Sequence, residues 1–342
     1  MTQYAQLART GVQVSRIALG SMNLGPWGEA DHGTGIAIVH RAVDSGINLI
    51  DTADLYSAGE SEVIVGTALA GRLRDDVVLA TKFHGRMGAD INRQGNSRRW
   101  IRTAVEDSLR RLQTDRIDLY QVHKPEPDTD IDETLGALED LVAAGKIVSY
   151  GTSCFPAHHL VEAQWSAQRR GRGRPVTEQS PYSILTRGIE RDVLPTAEKY
   201  GIGVLVWSPL AGGWLSGRTP DGRATTPSDR HRRIPARYDP ELPANAEKRR
   251  VVRELSRLAA ASDLTLIQLA LGFVLSHRAV TTVLTGPRSI PHLDSALAAD
   301  GVRLGSDVLD AIDAIVPPGT VLNHADSGYT APELIDATRR RR

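Results

Sequence analysis

The chain has 342 residues, of which 41% are hydrophobic, and its 41 basic and 41 acidic side chains give a formal net charge of zero. This balance gives no reason to expect nucleic acid or an anionic membrane surface as a partner. The single cysteine, Cys154, excludes an intramolecular disulfide, and the N-terminus lacks the apolar core of a signal peptide. Because no stretch approaches about 18 consecutive apolar residues, we expect no membrane span and a cytoplasmic location.

The first predicted element is a small hairpin around "RTGVQ", within about the first 15 residues. After it, short apolar runs rich in Val, Ile and Leu recur along the chain. Continuous runs of this kind are typical of strands that are buried on both faces of a parallel sheet. The runs are "RIALGS", "INLIDT", "VVLATK", "IDLYQVH", "IVSYGTS", "PVTEQS", "GVLVWS" and "VTTVLTG".

Segments with helical spacing lie between these runs, for example residues 35–46, 98–112 and 133–146. Strand and helix therefore alternate along the chain, which predicts an α/β protein with a (β/α)8 TIM barrel as a single domain over residues 1–342. An open, doubly wound sheet is the alternative. In the segment 133–146, one apolar stripe is formed by Leu135, Leu138, Leu141 and Val142.

Two irregular segments interrupt this pattern. Residues 216–246 contain many Pro, Gly, Arg and Asp residues, and residues 317–342 form a C-terminal extension that ends in four arginines. Loops of such length are uncommon in a compact domain, and those that occur are often functional. Because residues 216–246 follow the seventh predicted strand, we expect this long loop at the C-terminal face of the barrel.

Polar residues stand at the ends of three consecutive predicted strands. Asp51 ends the second run, Lys82 the third and His123 the fourth, and Tyr56 follows Asp51 by five residues. The C-terminal ends of parallel barrel strands open on one face, where barrel enzymes carry out their chemistry. We therefore expect these four side chains to converge at one site.

The chemistry of this set points to proton transfer. A tyrosine titrates near pH 10 in water, and a neighbouring ammonium lowers the pKa of the phenol. Asp51 would keep Lys82 charged, and His123 can hydrogen-bond a substrate oxygen. Together the four residues suit the protonation of an alkoxide as it forms from a carbonyl.

Long motifs of the chain resemble the aldo-keto reductase superfamily, notably "GINLIDTADLYSAGESEVIVGTAL", "SLRRLQTDRIDLYQVHKPEPDTDIDETLGALEDLVAAGKIVSYGTS" and "VLVWSPLAGGWLSG". The resemblance also points towards the branches of channel beta subunits and deoxysugar reductases. It implies a (β/α)8 barrel that reduces carbonyl compounds with NADPH and without a metal. It assigns Asp51, Tyr56, Lys82 and His123 as the catalytic tetrad, with Tyr56 as general acid.

The resemblance also implies how NADPH binds, although the chain has no G-x-G-x-x-G fingerprint. Ser153 and Gln179 would contact the nicotinamide amide, Trp207 would stack on the ring, and Arg288 would read the adenosine 2′-phosphate. Cys154, His292 and Ala296 depart from the family pattern, which has Asn, Gln and Asn there. The other residues expected at the cofactor are Gly20, Ser21, Met22, Asp51, Cys154, Ser208, Pro209, Leu210, Gly212, Gly286 and His292.

The substrate is expected to be a small-molecule carbonyl compound that contacts Trp27 and His84. A reductase of a nucleotide-linked ketosugar, or a nicotinamide-sensing binding subunit with little turnover, are alternatives within the same family. A metal-dependent barrel hydrolase that uses His123 and Asp51 as ligands is a third possibility. It is disfavoured because the chain lacks an H-x-H ligand pair and Lys82 would repel a metal ion.

Overall fold

The computed structural model describes residues 2–28, 31–217, 233–239 and 241–341. Eight parallel strands close into a barrel in the order β10-β3-β4-β5-β6-β7-β8-β9, which confirms the predicted (β/α)8 architecture. All eight apolar runs of the sequence contribute a strand. The barrel strands are β3 (Ile17–Gly20), β4 (Leu49–Asp51), β5 (Val78–Phe83), β6 (Ile117–Val122), β7 (Ile147–Ser153), β8 (Thr177–Pro181), β9 (Gly203–Trp207) and β10 (Val280–Thr285).

The predicted N-terminal hairpin is present and closes one end of the barrel. Strands β1 (Tyr4–Gln6) and β2 (Gln13–Ser15) pair in antiparallel fashion. Leu7 and Val14 are buried in one cluster with side chains of the barrel strands. The hairpin therefore seals the N-terminal end of the barrel and leaves the opposite end to the connecting loops.

The helices surround the barrel, and the main core lies between helices and strands. The helix predicted at 98–112 has these same bounds, and Ser97 caps it by accepting a hydrogen bond from the Trp100 amide. The helices are α1 (His32–Asp44), α2 (Glu60–Leu69), α3 (Arg98–Leu112), α4 (Ile131–Ala143), α5 (Ala157–Arg169), α6 (Val193–Tyr200), α7 (Pro243–Ala261), α8 (Leu266–Ser276), α9 (Ile290–Leu297), α10 (Ser306–Ile315), α11 (Pro332–Ile335) and α12 (Ala337–Arg340).

Described residues of both irregular segments lie at the C-terminal face of the barrel, where Arg233 and Arg237 line the cavity and Gly328 contacts Lys124. Within the long loop the structure describes a short 3-10 helix at Pro235–Arg237, whereas residues 218–232 and 240 lie outside the described residues. Helix α7 begins at Pro243, so the loop ends before residue 246, the predicted boundary. Proline at this position is favourable because its fixed φ suits the first turn and it has no amide hydrogen to satisfy.

In the described part of the chain, no single helix is long and apolar enough to cross a membrane. The consecutive helices α7 and α8 pass that test only together, by length and composition, and they are bent by 93° relative to each other.

Candidate active site

An ion pair between Asp51 and Lys82 lies at the centre of the site. The Lys82 Nζ atom is 2.5 Å from Asp51 Oδ1, and the two side chains are 0% and 2% exposed. Nζ also donates to the Thr52 carbonyl at 2.7 Å and contacts the Tyr56 hydroxyl at 3.2 Å. Burial by itself lowers the pKa of Lys82, but Asp51 and Tyr56 outweigh it, so the pKa is raised and the ammonium persists.

Two amides complete the hydrogen bonding of Asp51. Its Oδ2 atom accepts from Gln121 Nε2 at 3.0 Å and from Gln179 Nε2 at 2.9 Å. A carboxylate only accepts hydrogen bonds, so both amide NH2 groups must face it. Strand pairing fixes this arrangement, because β4, β5 and β6 are neighbours and Lys82 is in register with Gln121.

Tyr56 stands just beyond β4 on a strained turn. The next two residues, Ser57 and Ala58, have φ values of 50° and 56°, in the left-handed region that side chains rarely adopt. Ser57 Oγ accepts a hydrogen bond from the Trp27 amide at 3.1 Å, which fixes the turn against the first barrel loop. The strained turn at Ser57 and Ala58 therefore helps to hold the phenol of Tyr56 close to Lys82.

The pKa of Tyr56 differs from the expectation. Burial raises the pKa of the phenol, and Asp51 acts in the same direction. The Lys82 ammonium lowers it, as expected, but only partly offsets the burial, so the net shift is upward. The phenol is therefore protonated at neutral pH and available as a proton donor.

His123 follows β6 directly and faces the phenol. Its ring centroid is 5.8 Å from that of Tyr56, with the planes at 81°. Burial lowers the pKa of His123 well below its usual value, and the ammonium groups of Lys82 and Lys124 lower it further. The imidazole is therefore neutral at neutral pH and carries one donor and one acceptor nitrogen.

A cavity of about 580 Å³ opens above these residues. All the site residues predicted from the sequence line it except Lys82, Ser21 and His84. Lys82 lies beneath the cavity floor. Ser21 is fully buried and its Oγ accepts from Ser61 at 2.8 Å, whereas His84 Nδ1 lies 3.0 Å from Asn96 Oδ1. Neither of the latter two residues lines the cavity.

The two residues predicted at the nicotinamide amide are linked to each other. Ser153 and Gln179 are in register on β7 and β8, and Ser153 Oγ donates to the Gln179 carbonyl at 2.8 Å. Because the NH2 group of Gln179 faces Asp51, the amide oxygen is the part that Gln179 can present to a ligand. Cys154 follows with φ of 60°, and its Sγ lies 3.3 Å from Lys124 Nζ.

A buried glutamate supports this turn from behind. Glu178 accepts hydrogen bonds from Thr152 Oγ1 at 2.6 Å, Ser180 Oγ at 2.7 Å and the Phe155 amide at 3.2 Å. Burial nevertheless outweighs these bonds and raises the pKa of Glu178 to about 7. The carboxyl group of Glu178 therefore accepts hydrogen bonds from the residues on both sides of the Ser153–Cys154 turn, and its pKa is near neutrality.

The other end of the cavity is built from loops. Backbone with positive φ occurs at Ser208, Ala211, Gly212 and Gly213 after β9. Beyond β10, Asn23 Nδ2 donates to the Gly286 carbonyl at 2.5 Å and joins the first loop to the last. Arg288 and His292 line this end, as do Ser295 and Ala296.

Sequence reasoning missed several residues that the structure places at the site. Gln121 had a detectable signal, since it stands two positions before His123 on one strand and therefore on the same face. Lys124 directly follows His123. Arg233 and Arg237 come from the long loop, which was predicted to lie at this face and to contact the substrate, although the sequence did not indicate which of its residues line the cavity. Among the described residues, no three His, Cys, Asp or Glu side chains gather in an arrangement that could hold a metal ion.

Comparison with known proteins gives a consistent result. The model of the Aldo/keto reductase family matches residues 16–317. The chain is 37% identical over 329 residues to the uncharacterized oxidoreductase YrpG of Bacillus subtilis (strain 168), covering 93% of this chain and 97% of that protein. It is 34% identical over 339 residues to the aldo-keto reductase YhdN of the same organism, with 97% of each chain covered.

A plant relative has a different name. A probable voltage-gated potassium channel subunit beta of Oryza sativa subsp. japonica is 32% identical over 328 residues, which cover 92% of this chain and 96% of that protein. The barrel and the family match agree over most of the chain. This protein belongs to the Aldo/keto reductase family.

Proposed function

We propose that this protein reduces an aldehyde or a ketone to an alcohol with NADPH, and that Tyr56 is the proton donor. The observation that carries the proposal is the contact of 3.2 Å between the Tyr56 hydroxyl and Lys82 Nζ at the wall of the cavity, beside His123. Membership of the family supports an oxidoreductase that acts on carbonyl compounds with a nicotinamide cofactor.

Each residue has a distinct task in this proposal. The neutral imidazole of His123 donates a hydrogen bond to the carbonyl oxygen and orients it towards Tyr56. Tyr56 gives its proton to that oxygen as negative charge develops there. Lys82, held charged by Asp51, stabilises the tyrosinate that remains. The dinucleotide supplies the hydride that the carbonyl carbon receives.

The residues along the cavity fit an extended dinucleotide. A volume of about 580 Å³ lies in the range of roughly 300–1,000 Å³ that is usual for small-molecule sites. Trp207 offers a ring face at the end of β9, and Ser153 and Gln179 offer oxygens nearby. Arg288 supports NADPH rather than NADH, because a guanidinium suits a phosphate and the 2′-phosphate is what distinguishes the two.

Two alternatives remain within the family. A nucleotide-linked ketosugar is a carbonyl substrate that the same tetrad can reduce. The other alternative is a nicotinamide-sensing subunit with little turnover. The observation in its favour is the name of the rice relative, a probable voltage-gated potassium channel subunit beta. The three candidates differ in whether a carbonyl is reduced and in its chemical class, which the following assay distinguishes.

The experiment is a carbonyl panel assayed for oxidation of NADPH, with NADH in parallel and the alcohol product identified by mass spectrometry. We expect stoichiometric alcohol formation and a higher kcat/KM with NADPH. Tight NADPH binding without oxidation by any carbonyl would instead favour the sensing subunit. Equal efficiency with the two dinucleotides would contradict the NADPH preference alone.

A further inference from the structure

The cavity wall carries an uneven distribution of charge. Among the described residues, Asp51 is the only carboxylate that lines the cavity, and Lys82 neutralises it. The cationic side chains in the wall are those of Lys124, Arg233, Arg237 and Arg288. Within the described part of the chain, the cavity wall therefore has several cationic side chains and one carboxylate, which is already paired.

These cations differ in position and in existing partners. Arg288 lies beyond β10, at the end where we place the adenosine phosphate. Arg237 forms an ion pair with Asp326, 3.0 Å away, and shares that carboxylate with Lys248. Lys124 has no carboxylate within ion-pair distance among the described residues, and it directly follows His123 at the catalytic end.

The chain holds the Lys124 ammonium in a defined place. It donates to the carbonyl of Gly328 in the C-terminal extension and lies 3.3 Å from Cys154 Sγ. Gly328 itself packs closely, since a side-chain carbon there would lie 2.7 Å from Trp207 Cζ2. An ammonium has three donors, so a third remains for a ligand in the cavity.

The field of Lys124 reaches the reaction centre. Burial is the main reason why the pKa of His123 is lowered, and the charges of Lys82 and Lys124 lower it further. On the other side of the phenol, the Arg233 guanidinium stacks over Trp27 at 4.4 Å, and the Trp27 ring centroid is 6.3 Å from that of Tyr56. A substrate whose carbonyl contacts Tyr56 and His123 therefore lies close to the Lys124 ammonium, which directly follows His123.

We propose that the preferred substrates are carbonyl compounds that carry a carboxylate or a similar anionic group, and that Lys124 binds this group. The inference rests on the proposed function, because it concerns the substrate of the same site. The aromatic wall of Trp27 and Trp207 accommodates the body of the substrate, and the ammonium fixes the orientation of its anionic end.

The test compares two aldehydes of the same shape, 4-carboxybenzaldehyde and its neutral methyl ester, in the wild type, Lys124→Met and Lys124→Arg. The measured quantity is the ratio of kcat/KM for the acid to that for the ester. We expect a ratio well above one in the wild type, a fall of roughly tenfold in Lys124→Met, and substantial retention in Lys124→Arg. Lys146→Met, at the outer surface, is the matched control and should keep the wild-type ratio.

The ratio separates substrate recognition from a structural role of Lys124. Loosening of the C-terminal extension in Lys124→Met would affect both aldehydes alike and leave the ratio at its wild-type value, which would overturn the proposal. Dissociation constants of both aldehydes for the NADPH-bound protein, measured by calorimetry, give the same ratio without turnover. Absence of NADPH oxidation with either aldehyde would count against the proposed function, whereas the binding ratio would still decide the role of Lys124.

Discussion

The two ends of the cavity are built in different ways. At the catalytic end, Asp51 on β4 and Lys82 on the adjacent β5 are buried, as is Gln179 on β8 at the opposite side of the barrel. Hydrogen bonds of 2.5 to 2.9 Å join the three side chains. At the opposite end, Arg288 and His292 lie on the loop and helix after β10, and His292 is exposed. Strand register fixes the first set, whereas the second depends on loop conformation.

One departure from the family pattern, Cys154, directly follows β7 at the catalytic end, but it is not part of the buried ion pair. His292 and Ala296, which stand where the family commonly has Gln and Asn, lie at the loop-built end. The four residues of the tetrad match the pattern fully. A buried ion pair tolerates little change because a lost partner leaves an uncompensated charge, while an exposed contact can be replaced at low cost. We therefore expect substitutions at the strand-built end to have larger effects than substitutions at the loop-built end.

The largest effect is expected from Tyr56→Phe. Removal of the hydroxyl should lower kcat by roughly 10²–10⁴-fold, because general acid catalysis is lost. The NADPH dissociation constant should stay nearly unchanged, since the phenol lies at the catalytic end. Steady-state kinetics and a fluorescence titration on one preparation measure both, with Tyr4→Phe as control. Near-normal turnover would exclude Tyr56 as the proton donor.

Lys82→Met should destabilise the fold as well as abolish activity. It leaves the Asp51 carboxylate buried with only amide donors, at a cost of about 3–5 kcal/mol in the free energy of unfolding. Chemical denaturation measures this loss. The double variant with Asp51→Asn should recover part of the stability, because the uncompensated charge is gone. If the double variant is no more stable than Lys82→Met, the loss has a cause other than buried charge.

Glu178→Gln tests the support behind the nicotinamide side. The folded-state pKa of about 7 exceeds the ordinary 4.5, so the native state holds a proton that the unfolded chain releases. The protonated Glu178 therefore contributes fully to the free energy of unfolding below about pH 4.5. This contribution, about 3 kcal/mol, is lost as the pH rises to about 7.

The glutamine variant lacks this titration, so its stability relative to wild type should rise between pH 5 and pH 8. Denaturant unfolding at the two pH values measures the change. Glu162→Gln, at an exposed helical position, should show no such trend. A difference between Glu178→Gln and wild type that does not vary with pH would contradict the raised pKa.

Arg288→Ala should produce the smallest effect and should act on one cofactor. A charge-assisted hydrogen bond contributes about 1.5–3 kcal/mol, so NADPH binding should weaken by roughly 10–100-fold and NADH binding much less. Titration of both dinucleotides decides the matter, and Arg278→Ala, before β10, is the control. Equal weakening of the two would mean that Arg288 does not contact the 2′-phosphate.

The strand-built end was predictable because the C-terminal ends of all parallel barrel strands open on one face. A polar residue that directly follows an apolar run therefore lies at that face. This logic placed Asp51, Lys82 and His123 correctly. It does not give side-chain contacts, so the hydrogen bond between Ser61 and Ser21 and the contact between His84 and Asn96 were not predicted. It does not give burial either, so the upward shift in the Tyr56 pKa was missed.

The side chains that loops contribute, at both ends of the cavity, depend on contacts between segments far apart in sequence. Arg237 reaches the cavity through an ion pair with Asp326, and Lys124 is held by Gly328. Neither contact can be inferred from the local composition or periodicity of the sequence. Such long-range contacts require the folded chain, and they carry the inference about anionic substrates.

The most direct test of the account is isotope transfer from the cofactor. The wild-type protein is incubated with a reactive aldehyde and NADPH deuterated at the transferable position of the nicotinamide, and the alcohol is analysed by mass spectrometry. The account predicts one deuterium on the carbinol carbon for each NADPH oxidised. Alcohol without deuterium, or labelled NADPH that stays bound and unoxidised with every carbonyl, would contradict carbonyl reduction by hydride transfer at this site.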